Sequence, residues 1–262
     1  MAKPLVSCRT EDGILILELD APPANTYSYE MMQQLDAAIL DARMNDAVHV
    51  LVLRGAGEAF FSAGADIRML KSVTPRFKYA FCLHANETLN RLEQTPKLVI
   101  AALNGHTVGG GFEIALAADL RVARRGGGKI GLPEVALGVL PGTGGTQRLA
   151  RLIGQARAIE LMATGRTMTF DEAASQGLVT HVFEPENWWD SVLTYARQFC
   201  PPGKAAKAVG LIKRSVVSGA SMPFLESLAL ERELQQQLFE SEDAREGLDA
   251  YLEKRPPRFK GI

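Results

Sequence analysis

Two glutamates in apolar company, and a run of glycines ahead of the first, are the groups of this chain best suited to chemistry. Glu113 is flanked by Phe112, Ile114, Ala115, Leu116 and Ala117 and follows Asn104-Gly105-His106-Thr107-Val108-Gly109-Gly110-Gly111. Glu134 stands between Leu132-Pro133 and Val135-Ala136-Leu137. Burial among such neighbours penalises the charged form, raises the pKa and lets a carboxyl hold a proton near neutral pH. Glycine lets the backbone turn sharply and lets a ligand approach main-chain N–H groups. A helix that begins there aims free N–H donors and a positive dipole end outward, an arrangement suited to a developing oxyanion. Two glutamates and an N–H donor site are what reversible addition of water to an activated double bond requires.

Other candidates reduce to simpler readings. Gly109-Gly110-Gly111 is neither a dinucleotide fingerprint nor a phosphate-cradling loop, because the Gly-x-Gly-x-x-Gly spacing and a following Gly-Lys-Ser/Thr are absent. In Phe60-Phe61-Ser62-Ala63-Gly64-Ala65-Asp66-Ile67 the small residues suit a backbone that meets a flat ligand, while Asp66 taken alone reads as a helix cap. His84, His106 and His181 lack a serine or cysteine partner in a nucleophile motif and read as structural. Arg121, Arg124, Arg125 and Lys129 are interrupted by glycines and read as a solvated loop.

The elements that must hold the glutamates alternate along the first part of the chain. Ile14–Leu19, Val48–Leu53 and Leu98–Leu103 read as strands, with shorter ones at Leu120–Ala123 and Leu178–Val182. Tyr29–Met44 and Phe77–Gln94 carry apolar residues at helical spacing. This succession predicts an α/β fold with buried strands. After about Trp188 strand patterns stop, and Ala205–Val217, Phe224–Phe239 and Asp243–Glu253 all read as helices. The expected division is an α/β core over residues 1–188 that holds the active site and a helical region over 189–262.

Composition bounds the partners. The 262 residues carry a net charge of −1, which offers no general attraction to nucleic acid. Apolar runs are too short to span a bilayer. Three cysteines without metal-like spacing argue against a disulfide framework and a zinc site. They predict a reducing compartment, and the start Met1-Ala2-Lys3-Pro4-Leu5-Val6 lacks signal- or transit-peptide character, so a cytoplasmic location is expected.

Taken together, five segments resemble the crotonase family, also called the enoyl-CoA hydratase/isomerase superfamily. They are Ala63-Gly64-Ala65-Asp66, Asn104–Glu113, Gly131-Leu132-Pro133-Glu134, Leu140-Pro141-Gly142-Thr143-Gly144-Gly145-Thr146-Gln147-Arg148-Leu149, and the tail from Ser241 through Arg255. The resemblance runs from about Ile14 to Lys260. It implies a spiral of ββα units with a helical C-terminal trimerisation region, assembled as a trimer or as a hexamer built from two trimers. It implies that the N–H groups of Ala65 and Gly110 hold a thioester oxygen and that Glu113 and Glu134 are the acid/base pair. It implies that Ala63, Asp66 and Ile67 meet the adenine of coenzyme A through their backbone, with Phe259 and Lys260 reaching coenzyme A from a neighbouring subunit. Two departures stand out: Ala21-Pro22-Pro23-Ala24-Asn25-Thr26 lacks the basic residue many members carry there, and Arg125–Gly128 is slightly longer than usual.

The reading is an enoyl-CoA hydratase that needs no metal, flavin or nicotinamide, coenzyme A being part of the substrate. Glu134, protonated, supplies the proton at C2, and Glu113 orients or deprotonates water. The alternatives are an isomerase, decarboxylase or thioesterase on the same fold, or an RNA-binding or scaffold protein. Members that shift a double bond often keep one glutamate, so the presence of both favours hydration. Met69, Leu70, Phe77, Phe81 and Cys82, which follow the oxyanion strand, are expected near an apolar acyl pocket.

Overall fold

The computed structural model describes residues 3–262. Its main sheet has six strands in the order β1-β2-β3-β5-β7-β10. These are Val6–Glu11 (β1), Ile14–Leu19 (β2), Val50–Gly55 (β3), Leu98–Leu103 (β5), Leu120–Arg124 (β7) and His181–Phe183 (β10). β1 and β2 form an antiparallel pair, and the other neighbours are parallel. Parallel strands must be covered on both faces, and these are. Leu15, Leu17, Leu51, Leu53, Val99, Ala101 and Leu103 join the core formed with helices α1 (Tyr29–Met44) and α3 (Pro75–Glu93). Their alternates Ile14, Ile16, Val50, Val52, Ile100 and Val122 pack on Trp188, Val192, Leu193 and Ala196 of α8 (Trp188–Arg197).

A second sheet explains the spiral. β4 (Phe60–Ser62), β6 (His106–Val108) and β8 (Lys129–Gly131) run parallel, and β9 (Thr167–Thr169) closes the sheet antiparallel to β8. Each of these three strands follows a strand of the main sheet, and helices return the chain to the next turn. The order is β3-β4-α2-α3, then β5-β6-α4, then β7-β8, where α2 is Ile67–Ser72 and α4 is Gly110–Leu116. This is the expected crotonase-type ββα architecture. The three-residue strands carry too little pattern to be read from sequence, and the run at Leu178 begins in a turn after α7 (Phe170–Ser175), so its strand starts only at His181.

The division expected at residue 188 falls at the first residue of α8, a helix that covers the main sheet. The helices after it dock differently. α9 (Ala206–Gly219) approaches so closely that a Cβ on Gly210 would lie 2.0 Å from the carbonyl oxygen of Pro96. Its Lys213 is buried and pairs with Asp119 at 2.9 Å. In α10 (Phe224–Phe239) only Leu234 is buried, and Phe224, Leu225 and Phe239 are exposed. α11 (Glu242–Glu253) likewise exposes Leu248, Tyr251 and Leu252. No helix among the described residues is long and apolar enough to cross a membrane.

Candidate active site

The site begins where two turns of the spiral leave the small sheet side by side. β4 pairs with β6, so the loop Ala63–Ala65 lies against Gly109–Gly110. Contact is close enough to exclude side chains: a Cβ on Gly64 would stand 2.8 Å from the nitrogen of Gly110, and one on Gly111 would stand 2.2 Å from the carbonyl oxygen of Ser62. Gly109 turns the chain into α4 at φ 57°, a backbone region that favours glycine. The N–H groups of Ala65 and Gly110, one from each loop, donate to no protein acceptor among the described residues.

Gly110 also has a role the sequence reading missed. A Cβ there would meet the Tyr27 hydroxyl at 2.3 Å. A valine at Gly110 would therefore strike the buried Tyr27 ring.

Glu113 lies one turn into α4 and is buried. Its Oε1 accepts from the backbone N–H groups of Thr143 (2.8 Å) and Gly145 (2.7 Å), and the Thr143 hydroxyl donates to Oε2. All three partners donate, and an ionised carboxylate accepts only. Gly145 is the first residue of α5 (Gly145–Ile153), so the carboxylate also faces the positive end of that helix. The Tyr27 hydroxyl lies 3.3 Å from Thr143 Oγ1. Burial, then the Glu113 charge, pushes the Tyr27 phenol up, so it stays neutral. Arg148 donates to the Thr143 carbonyl and pairs with Glu93 of α3, which fixes the loop from behind.

The far end of α4 is held by Arg121. Its guanidinium is buried and donates to the carbonyls of Ala115, Ala118 and Leu178. Reading Arg121 as part of a solvated loop is thus corrected: its charge satisfies helix-terminal carbonyls. The reading holds better for Arg125, which is exposed beside Asp171 and Glu184.

Glu134 opens a short 3-10 helix, Glu134–Leu137, directly after β8 and Pro133. Its carboxyl lies over the Gly109 turn: a Cβ on Gly109 would stand 3.2 Å from Glu134 Oε1. The second oxygen, Oε2, is buried without a hydrogen-bond partner among the described residues. Burial, reinforced by the Glu113 charge, raises the Glu134 pKa to about 7. Two carboxyls thus meet at one turn, one held by donors and one poised to carry a proton.

The remaining expected residues divide. Asp66 caps α2 through its side chain, accepting from Arg68 N–H at 2.8 Å, while its own N–H donates to Tyr27. Ala63 N–H is committed to Ala24, and Ile67 is exposed. Phe81 is fully buried, its ring 5.8 Å from that of Tyr27, so it forms the wall behind the site. Met69 and Leu70 pack on the core from α2, Phe77 is exposed edge-on to Tyr29, and Cys82 lies beside Gly142.

Phe259 and Lys260 lie elsewhere. Gly261 sits against His49, at the start of β3, whereas the Ala63–Ala65 loop follows that strand's far end. Six residues of strand separate the two ends by roughly 20 Å. The tail is clasped by the buried Asp243, which accepts from Lys260 and Gly261 N–H, and the Lys260 ammonium pairs with Glu242. Among the expected histidines, His106 accepts from Lys129 N–H and His181 stacks on Phe183. No group of three or more His, Cys, Asp or Glu among the described residues is placed to hold a metal ion.

Tyr27, Thr143 and Gly145 are the site residues for which sequence reasoning assigned no role. Thr143-Gly144-Gly145 was visible as a second glycine-rich helix entry, the same signal that marked Gly109–Gly111.

Comparison with known proteins agrees with this architecture. Residues 9–262 match the family model described as enoyl-CoA hydratase/isomerase. The chain is 34% identical over 258 residues to a probable enoyl-CoA hydratase of Bacillus subtilis, covering 98% of each. It is 35% identical over 246 residues to the short-chain-enoyl-CoA hydratase of Clostridium acetobutylicum, covering 94% of this chain and 93% of that one. The crystal structure of an enoyl-CoA hydratase from Geobacillus kaustophilus matches with a TM-score of 0.97 at 48% identity, over 100% of this chain and 98% of that one. With these matches spanning nearly its full length, the chain belongs to the enoyl-CoA hydratase/isomerase family.

Proposed function

We propose that this protein adds water across the 2,3 double bond of a 2-enoyl-CoA thioester to give a 3-hydroxyacyl-CoA. The observation that carries the reading is the pair of unlike carboxyls at the Gly109–Glu113 turn. The Ala65 and Gly110 N–H groups receive the thioester oxygen, draw electron density from C3 and stabilise the enolate. One such donor is worth about 10²–10³ in rate. Glu113, ionised and held by Thr143 and Gly145, takes a proton from water as its oxygen bonds to C3. Glu134, with a pKa near 7, gives its proton to C2. The net change is addition of H and OH, and the Glu113 proton returns to Glu134 through solvent. Double-bond migration needs one group to move a proton between two carbons; here each carboxyl has its own support, which favours hydration.

The substrate brings its own coenzyme A, and the chain's residues need no added metal or redox group for these steps. The exposed apolar faces of α10 and α11 support a trimer or a pair of trimers. In that assembly Phe259 and Lys260, remote from their own site, reach the coenzyme A of a neighbour. Incubation with crotonyl-CoA, followed by loss of the conjugated enoyl-thioester absorbance and detection of 3-hydroxybutyryl-CoA, tests the reaction. Migration of the double bond without water uptake, or thioester cleavage, would replace the hydratase reading.

A further inference from the structure

The loop between β2 and α1 runs alongside the segment that supplies one of the two oxyanion donors. Asn25 is buried, and its side-chain amide donates to the carbonyls of Ala56 (2.9 Å) and Phe60 (3.0 Å). Ala63 N–H donates to the Ala24 carbonyl. Tyr27 then pairs with Ala65 as a single parallel bridge: its N–H donates to the Gly64 carbonyl at 3.0 Å, and its carbonyl accepts from Asp66 N–H at 3.1 Å. The Ala65 N–H shares a trans peptide with the Gly64 carbonyl. The two groups of a trans peptide point in opposite directions. Because Tyr27 draws the Gly64 carbonyl toward itself, the Ala65 N–H is aimed away from the bridge.

The side chain of the same residue crosses to the second donor loop. Tyr27 is buried, with its ring 5.8 Å from that of Phe81. The three heavy atoms nearest to a Cβ on Gly110 would all be its own: the hydroxyl oxygen at 2.3 Å and two ring carbons at 2.4 and 2.7 Å. The ring thus fills the space that a Gly110 side chain would take. Its hydroxyl lies 3.3 Å from Thr143 Oγ1, and the Thr143 hydroxyl donates to Glu113. A hydroxyl has one proton to give, so Tyr27 is the donor to Thr143. Burial keeps the phenol neutral, and it retains that proton. The result is a relay from Tyr27 through Thr143 to Glu113, with each hydrogen aimed toward the carboxylate; bonds in such chains strengthen one another. Resting on the hydratase reading, we infer that Tyr27 is a positioning residue for the reaction: its backbone aims the Ala65 donor, its ring seats the Gly110 donor, and its hydroxyl steadies the Glu113 base. One residue from a distant loop thereby ties the site for the thioester oxygen to the group that takes a proton from water.

Two substitutions separate these contributions in the full-length protein. Tyr27→Phe removes the hydroxyl and keeps the backbone and the ring. It should lower kcat for crotonyl-CoA about three- to tenfold with KM nearly unchanged. In a Thr143→Val background the same change should cost nothing further, because the hydroxyl acts only through Thr143. Losses that multiply in the double variant, or a change in KM alone, would overturn the inference. Tyr27→Leu removes the ring from Gly110. Infrared spectra of bound butyryl-CoA, isotopically labelled at its carbonyl carbon, should show the thioester stretch lowered in the wild type and in Tyr27→Phe. In Tyr27→Leu the stretch should return toward that of the free thioester, since the donors polarise the carbonyl only when they are in place. An equal lowering in all three proteins would also overturn the inference. If Tyr27→Leu does not fold, the Tyr27→Phe and Thr143→Val comparison decides. Absence of crotonyl-CoA turnover in the wild type would strike the hydratase reading, whereas the infrared series needs binding alone and still judges Tyr27.

Discussion

Glu113 and Glu134 present the same carboxyl from two unlike supports. Glu113 projects from a buried helix whose far end is tied by Arg121, and its oxygens are met by Thr143 and Gly145. Glu134 rises from a four-residue 3-10 helix with no buried residue, beside exposed Val135 and Leu137, and one of its oxygens is buried without a partner. One support surrounds a charge with donors. The other leaves one oxygen without a donor, so desolvation dominates and lifts the pKa to about 7. In the proposed hydration, identical side chains take opposite halves of a proton transfer because of what surrounds them.

The most damaging way to break this pair is to neutralise either member. Glu113→Gln and Glu134→Gln should each lower kcat for a good enoyl-CoA by at least about 10²-fold. Near-normal turnover in either variant would remove that residue from the reaction.

Their stabilities should then part company. Glu113→Gln places an amide where three donors converge, and a thermal melt should show a loss of about 1–3 kcal/mol. Glu134→Gln replaces a desolvated carboxyl with a neutral group and should melt no lower than wild type near pH 8. Equal losses in the two variants would erase the distinction between the supports.

The titration of Glu134 sharpens the contrast. Its folded pKa, about 7, lies above the ordinary 4.5. The folded state therefore holds the proton more tightly, and stability from this group is full below about 4.5 and lost as pH rises toward 7. Glu134→Gln should flatten that part of the melting-temperature profile. For the same reason kcat/KM should fall as pH climbs through about 7, where the donor loses its proton. A profile flat to pH 9 would show that Glu134 does not donate.

Thr143→Val tests the support of Glu113 alone. It removes the hydroxyl that joins Glu113 to Tyr27 while keeping both backbone donors. A fall in kcat of about tenfold with little change in KM is expected, since a net hydrogen bond is worth about 1 kcal/mol and one to a charge somewhat more. A rise in KM alone would mean that Thr143 contacts substrate instead.

The smallest effect is expected at the tail. Lys260→Ala should raise KM for the acyl-CoA several-fold with kcat nearly intact, because one exposed point charge on a phosphate contributes modestly. Light scattering should report at least three chains per particle, and a fully active monomer would contradict a site completed by a neighbour. Removing Arg258–Ile262 is a coarser test, since it also strips the buried Asp243 of its two tail donors.

Much of this was legible in the chain before folding was considered. Helix Tyr29–Met44 and strand Leu98–Leu103 carry period and length enough to be read directly, and they lie where expected. Glu113 and Glu134 stood out because a charge interrupts an apolar run, a local signal. The glycines at 109–111 announced a close approach of backbone, though not to what. The partners of those residues are distant in sequence: Tyr27 against Gly110, Thr143 and Gly145 on Glu113, Arg121 under α4. Residue order and spacing encode periodicity, turns and burial preference, because these depend on a residue and its near neighbours. Which hydroxyl meets which carboxylate, and which of two equal glutamates keeps a buried oxygen without a donor, depends on how successive turns of the spiral stack, and that is decided only when distant strands pair.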